Sequence, residues 1–108
     1  VGSDFGRTNM YNDGNGKDHW NIGSYMLMEQ GARWGNRVVG ASDELHFARK
    51  INPSSLETSE SGIVLTPAHV HRAVQKYLGI DDFAATNGIA LPDVEDIALF
   101  SSSKQTRV

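Results

Sequence analysis

The chain has 108 residues, no cysteine, and 10 Lys+Arg against 13 Asp+Glu, for a formal net charge of −3. That length suits one domain of modest stability, because a chain this small buries only about 60–70% of the surface it exposes when unfolded. The lack of thiols excludes a disulfide framework, a thiolate zinc site and cysteine catalysis, and the mild acidity argues against a nucleic-acid partner, which needs a basic patch.

In chain order, the opening Val1-Gly2-Ser3-Asp4 has no methionine and reads like the interior of a longer sequence. Residues 1–20 hold no apolar signal-peptide region, and no apolar stretch approaches the ~20 residues that span a bilayer, so no membrane partner is expected. Residues 6–24 read as a loop, because Asn9, Asn12, Asp13, Gly14, Asn15, Gly16 and Asp18 are turn formers. The apolar residues 22–28 predict a strand, although their Met and Leu content also suits a helix. Residues 37–41 suit a short strand or an extended segment, and residues 42–62 show no clean period. Turn clusters stand at Asn52-Pro53-Ser54-Ser55 and at residues 59–62.

A helix is predicted over residues 67–78. Thr66 is a good N-cap, Pro67 suits the first helical position, Lys76 favours the C-terminal dipole, and Gly79 suits the left-handed position that ends a helix. Val70, Val74, Tyr77 and Leu78 would form its apolar stripe. Residues 82–86 begin another helical turn, residues 97–100 suit a terminal strand or docking segment, and residues 101–108 form a polar tail. The expected organisation is one small domain over residues 1–100 followed by that flexible tail.

Two familiar motifs fail on spacing. A phosphate-binding P-loop ending at Gly16-Lys17 needs glycine where Tyr11 stands, and Ser or Thr where Asp18 stands. A calcium loop starting at Asp13 would need an oxygen ligand at Lys17, glycine at Asp18 and Glu at Ser24. Asp18-His19 beside Trp20 pairs a carboxylate with an imidazole, an arrangement that serves either a metal ligand with its orienting neighbour or a plain structural hydrogen bond. Asp43, Glu44 and His46 form a second polar cluster, read as a solvated turn. His69 and His71 are two apart on the helix and point to different faces, whereas a helical metal pair needs i, i+4 spacing. Asp4 precedes a glycine turn where open α/β sheets place their sites, and Arg7 can bind an anion in a forked manner or sit in a salt-bridged turn.

Three blocks taken together carry a resemblance. Ser3-Asp4-Phe5-Gly6-Arg7-Thr8, Gly14-Asn15-Gly16-Lys17-Asp18-His19-Trp20 and Gly40-Ala41-Ser42-Asp43-Glu44, followed by a helix over residues 65–81, resemble the C-terminal portion of a bacterial family of secreted or periplasmic proteins of unassigned function. Members of that family often carry a twin-arginine signal and are similar to the alkaline-phosphatase and sulfatase superfamily. The resemblance implies a three-layer α/β sandwich acting on phosphate or sulfate esters with one or two divalent metals such as zinc, manganese or calcium. It places Asp4 and His19 as metal ligands, Asp18 as a group orienting His19, and Arg7 and Lys17 as positive charge for a small anionic ligand. Phe5 stands where the superfamily has a ligating His, and no nucleophile-bearing half is present.

The expectations are therefore a small α+β, fragment-like unit without catalysis, pairing with itself as a homo-oligomer through an apolar face left by a reduced sheet. The alternative is a metal- or anion-binding fragment of a metal-dependent ester hydrolase. A third reading, a small-ligand module, rests on Tyr11, Trp20, Tyr25 and Trp34 as stacking surfaces.

Overall fold

The computed structural model describes residues 1–101. Among them regular structure comprises β1 (Gly6–Arg7), β2 (His19–Trp20), α1 (Pro67–Tyr77) and α2 (Asp81–Thr86). The unit is α+β, as expected, but much of the chain is held by turns and isolated bridges rather than by ladders. Except for Ser101, the tail expected from 101 onward lies outside the described residues.

Helix α1 forms where local chemistry places it. Thr66 is the extended N-cap residue, with φ −127° and ψ 164°, and Pro67 opens the helix. His69 completes a capping box, its Nδ1 accepting from the Thr66 backbone N–H at 3.0 Å. Because that backbone group can only donate, Nδ1 must accept, and the other ring nitrogen, Nε2, carries the proton it donates to Glu95 Oε1 at 3.0 Å. At the other end Gly79 takes φ 71°, and the Ile80 N–H returns to the Gln75 carbonyl at 3.0 Å. Helix α2 follows directly, with Asp81 and Asp82 in its first turn, where the dipole favours negative charge.

The apolar stripe expected on α1 is rotated in the structure. His69 and Ala73 are its buried residues, whereas Tyr77 and Leu78 are exposed. The cause is a polar strap over residues 89–96. Gln75 Nε2 donates to the Ile89 carbonyl, Arg72 Nη1 to the Leu91 carbonyl, and Arg72 and Lys76 both meet the Asp96 carboxylate. These bonds lay the strap along the Arg72 and Gln75 side of the helix, which is half-buried, while the C-terminal Tyr77 and Leu78 stay exposed.

The core gathers on Ile51, which is 0% exposed. Its N–H and C=O exchange 2.8 Å bonds with Ile63, and it also bridges Thr58, so three segments meet at one residue. Leu56, Ala73, Ile97 and Leu99 pack around it, with Leu27, Val39, Ile63, Leu65, Val70 and Phe100 partly buried against them. A Cβ at Gly62 would overlap the Ile51 carbonyl, so this approach requires glycine. Residues 97–100 dock rather than form a strand, with the Ala98 N–H bonded to the Pro53 carbonyl at 2.8 Å. A separate aromatic group, Trp34, Tyr77 and Phe100, closes one side, Tyr77 stacking on Phe100 at 4.3 Å.

Two sequence expectations need correction. Residues 6–24 are not wholly a loop, since they contain the β1–β2 pair. Residues 22–28 are not a strand. Tyr25 alone bridges Gly2, and most of the segment is exposed. Its apolar residues find no partner strand among the described residues, and a strand without a ladder leaves its backbone groups to water.

Truncating Ile51→Ala should lower unfolding free energy by about 2–5 kcal/mol, read as a lower urea midpoint, since the cavity would lie where three segments converge. A second expectation concerns pH. The His69 hydrogen bond, joined by a backbone N–H, holds the Glu95 carboxyl below its ordinary value near 4.5, and Arg72 followed by Lys76 holds Asp96 below 3.8. A carboxyl whose folded pKa is depressed stabilises fully above its unfolded pKa and loses that contribution as pH falls through the folded value. Stability should therefore decline as pH drops below about 4.5. Glu95→Gln combined with Asp96→Asn should flatten that decline in urea midpoints measured across the same range.

Candidate functional site

Asn12 builds the loop that carries most of the candidate residues. Its Oδ1 accepts from the Gly14 and Gly16 N–H groups at 2.9 and 3.0 Å, and its Nδ2 donates to Asp18 Oδ1 at 2.8 Å. One short amide group thus replaces the backbone partners that a ladder would supply. Asn15 takes φ 61°, a left-handed value that asparagine tolerates. The loop closes onto β1 and β2, which pair antiparallel with Arg7 opposite His19 and Gly6 opposite Trp20. A Cβ at Gly6 would overlap the Ile22 carbonyl, so glycine there lets the segment after β2 pass close beside β1.

The hairpin brings the first two sequence blocks together. His19 stacks on Phe5 with ring centroids 3.8 Å apart, and the Arg7 guanidinium lies 5.1 Å over the same Phe5 ring. Arg7 also donates to the Lys17 carbonyl at 2.9 Å, while the Lys17 ammonium sits 5.1 Å over Tyr11. Among the described residues Arg72 and Lys76 pair with Asp96 and neutral His69 hydrogen-bonds Glu95, and neither Arg7 nor Lys17 is matched by a carboxylate. Asp18 is engaged by Asn12 and, through its backbone, by Thr8.

The third block joins through Trp20, whose indole N–H donates to the His46 carbonyl at 2.7 Å and whose ring tilts against Phe47 at 5.3 Å. Asp43 organises that block as Asn12 organises the first loop, its Oδ1 accepting from the Leu45 and Phe47 N–H groups, each at 2.9 Å. His46 is held at φ 66° within this turn. Arg7, Trp20, Ser24, Ser42 and His46 thereby line a cleft of about 180 Å³, open to solvent. A larger groove of about 560 Å³ runs along residues 27–36 and holds none of the metal- or anion-binding candidates. The smaller cleft is the better site candidate, because Arg7, Ser24, Ser42 and His46, drawn from separate parts of the sequence, all line it.

Among the described residues no group of three or more His, Asp or Glu residues converges on Asp4 and His19, the number of protein ligands a closed zinc centre takes. Asp4 is exposed at the approach to β1, and His19 is engaged with Phe5. Sequence reasoning did not single out Ser24, Ser42 or His46 as binding residues. The available signal was the Asp43 turn, which a solvated-turn reading absorbed. The four aromatics considered for ligand stacking serve separate contacts: Trp34 is buried, Trp20 tethers His46, Tyr11 lies under Lys17, and Tyr25 meets the edge of His71.

The profile of a family described as "Protein of unknown function (DUF1501)" matches residues 1–94. No curated protein and no solved structure matches this sequence.

Proposed function

The chain belongs to the DUF1501 family, and we propose that it acts as a non-catalytic unit that associates with a second copy of itself. The observation that carries this reading is the exposure of large apolar residues around a small core. Val38 is 93% exposed and Met28 75%, with Leu45, Met26 and Phe47 also more than half exposed, while Ile51 is the one large residue fully buried among those described. Exposed apolar surface and unladdered extended segments favour pairing, and a stable interface needs only about 1,200–2,000 Å² in total.

Kinship with the alkaline-phosphatase and sulfatase superfamily is part of this proposal. It is supported by the contact between His19 and Phe5, since the resemblance makes His19 a metal ligand and puts Phe5 where the superfamily has another ligating His, and the hairpin stacks the two rings. Phenylalanine cannot ligate, and that is the basis for reading the unit as non-catalytic.

Light scattering on a size-exclusion column should give a mass above the monomer at high concentration, falling on dilution. Val38→Lys combined with Met28→Lys should shift the equilibrium towards the monomer while leaving the fold intact. A monomer at every concentration overturns the reading.

The cleft supports a second reading, binding of a small oxyanion by Arg7 with Ser24, Ser42 and His46. Titration with inorganic phosphate or sulfate should move the Trp20 indole resonance saturably, and Arg7→Ala should abolish that saturation. Linear drift in both proteins rejects this reading.

A further inference from the structure

The sequence contains two identical Asn-Gly dipeptides, Asn15-Gly16 and Asn87-Gly88. Asparagine before glycine is the pairing most prone to spontaneous deamidation, because no Cβ hinders the glycine nitrogen. In that reaction the backbone nitrogen of glycine loses its proton and attacks the asparagine Cγ. A bond forms between that nitrogen and Cγ, the bond from Cγ to Nδ2 breaks, ammonia leaves, and a five-membered imide remains. Water then opens the imide at either carbonyl, giving aspartate or isoaspartate. The proton taken from the glycine nitrogen ends on the departing ammonia and the new carboxyl gives up its own, so the net change is one water consumed, one ammonium ion released and one negative charge gained by the protein.

The fold treats the two dipeptides in opposite ways. At Asn15-Gly16 the attacking nitrogen is tied, its N–H donating to Asn12 Oδ1 at 3.0 Å. Two further bonds hold the same turn, Asn12 N–H to the Gly16 carbonyl at 2.7 Å and Asn15 N–H to the Asn12 carbonyl at 3.0 Å. Ring closure there must break the Gly16 bond and rotate the peptide out of a closed loop. The same Asn12 oxygen also holds the Gly14 nitrogen of Asp13-Gly14, where the corresponding imide forms with loss of water. One amide oxygen therefore guards both adjacent weak points.

At Asn87-Gly88 the nitrogen is unguarded. Among the described residues the Gly88 N–H meets no acceptor, and a Cβ built at Gly88 would meet only open space. The Asn87 amide is held by a single bond, Nδ2–H to the Phe83 carbonyl at 2.9 Å, and that carbonyl is already shared with the Asn87 backbone N–H. We infer that Asn87 is the site at which this protein undergoes spontaneous deamidation, and that Asn12 suppresses the same reaction at Asn15.

The product would alter the fold locally. A carboxylate in place of the Asn87 amide loses the bond to Phe83 and puts negative charge at the C-terminal end of α2, where the dipole disfavours it. An isoaspartate also lengthens the backbone between Ala84 and Ile89, whose 3.0 Å bond closes the helix. Helix α2, six residues long, has little else within it to resist fraying.

Peptide mapping by mass spectrometry during prolonged incubation at mildly alkaline pH tests the assignment. Acid product should accumulate at Asn87 several-fold faster than at Asn15 in the folded protein, and at equal rates in denaturant. Asn12→Ala should raise the Asn15 rate several-fold, whereas Asn12→Asp, which keeps an acceptor oxygen, should raise it less. Equal rates at the two sites in the folded wild type overturn the inference. So does an Asn15 rate unchanged by Asn12→Ala in protein whose urea midpoint shows that it remains folded.

Discussion

Every backbone N–H and C=O that leaves water must find a partner, and this protein has few ladders to supply one. The burden falls on short Asn and Asp residues. Asn12 accepts from two backbone N–H groups in the first loop, Asp43 from two in the second, and Asn52 from Ser54 and Ser55 in the third. Each is a local substitute for secondary structure, available because the Oδ1 atom reaches the backbone a few residues ahead. The third turn delivers Leu56, at φ 64°, into the core beside Ile51. Turn chemistry thus sets where the apolar residues arrive, and Ile51 is the point at which they meet.

The same constraint creates the candidate site. The first turn closes the hairpin that places Arg7 opposite His19, and the second holds the His46 carbonyl where Trp20 can reach it. The cleft between them is a by-product of two turns joined by one indole hydrogen bond. It is open to solvent, and its Arg7 leans on Phe5 and the Lys17 carbonyl. A covalent phosphoryl step would need a positioned nucleophile and a closed metal shell.

Helix α1 was legible almost to the residue. Its cap, opening proline and terminal glycine act over a few positions, and such chemistry survives any tertiary context. Which face of α1 is buried was not legible. That depends on the strap over residues 89–96, whose bonds to Arg72, Gln75 and Lys76 come from about 14 to 24 positions away in sequence. Residues 22–28 failed for a related reason. Their composition suits a strand, but a strand exists only where a partner accepts its hydrogen bonds, and here Gly2 supplies a single bridge. The hairpin was half legible. The turn formers were plain, but the two-residue strands flanking them carry no periodic signal.

By itself, the sequence determined the α+β character, the bounds of α1, the turn positions and the clustering of Arg7, Lys17, Asp18 and His19 within two short blocks. Tertiary structure alone decided that His19 would face Phe5, that Asp18 would serve Asn12, and that Ser24, Ser42 and His46 would join Arg7. The division follows the range of the interactions. Caps and turns are satisfied within a few residues, where sequence order is spatial order. The Trp20 bond to His46 and the convergence on Ile51 join segments whose proximity emerges only when the whole protein has folded.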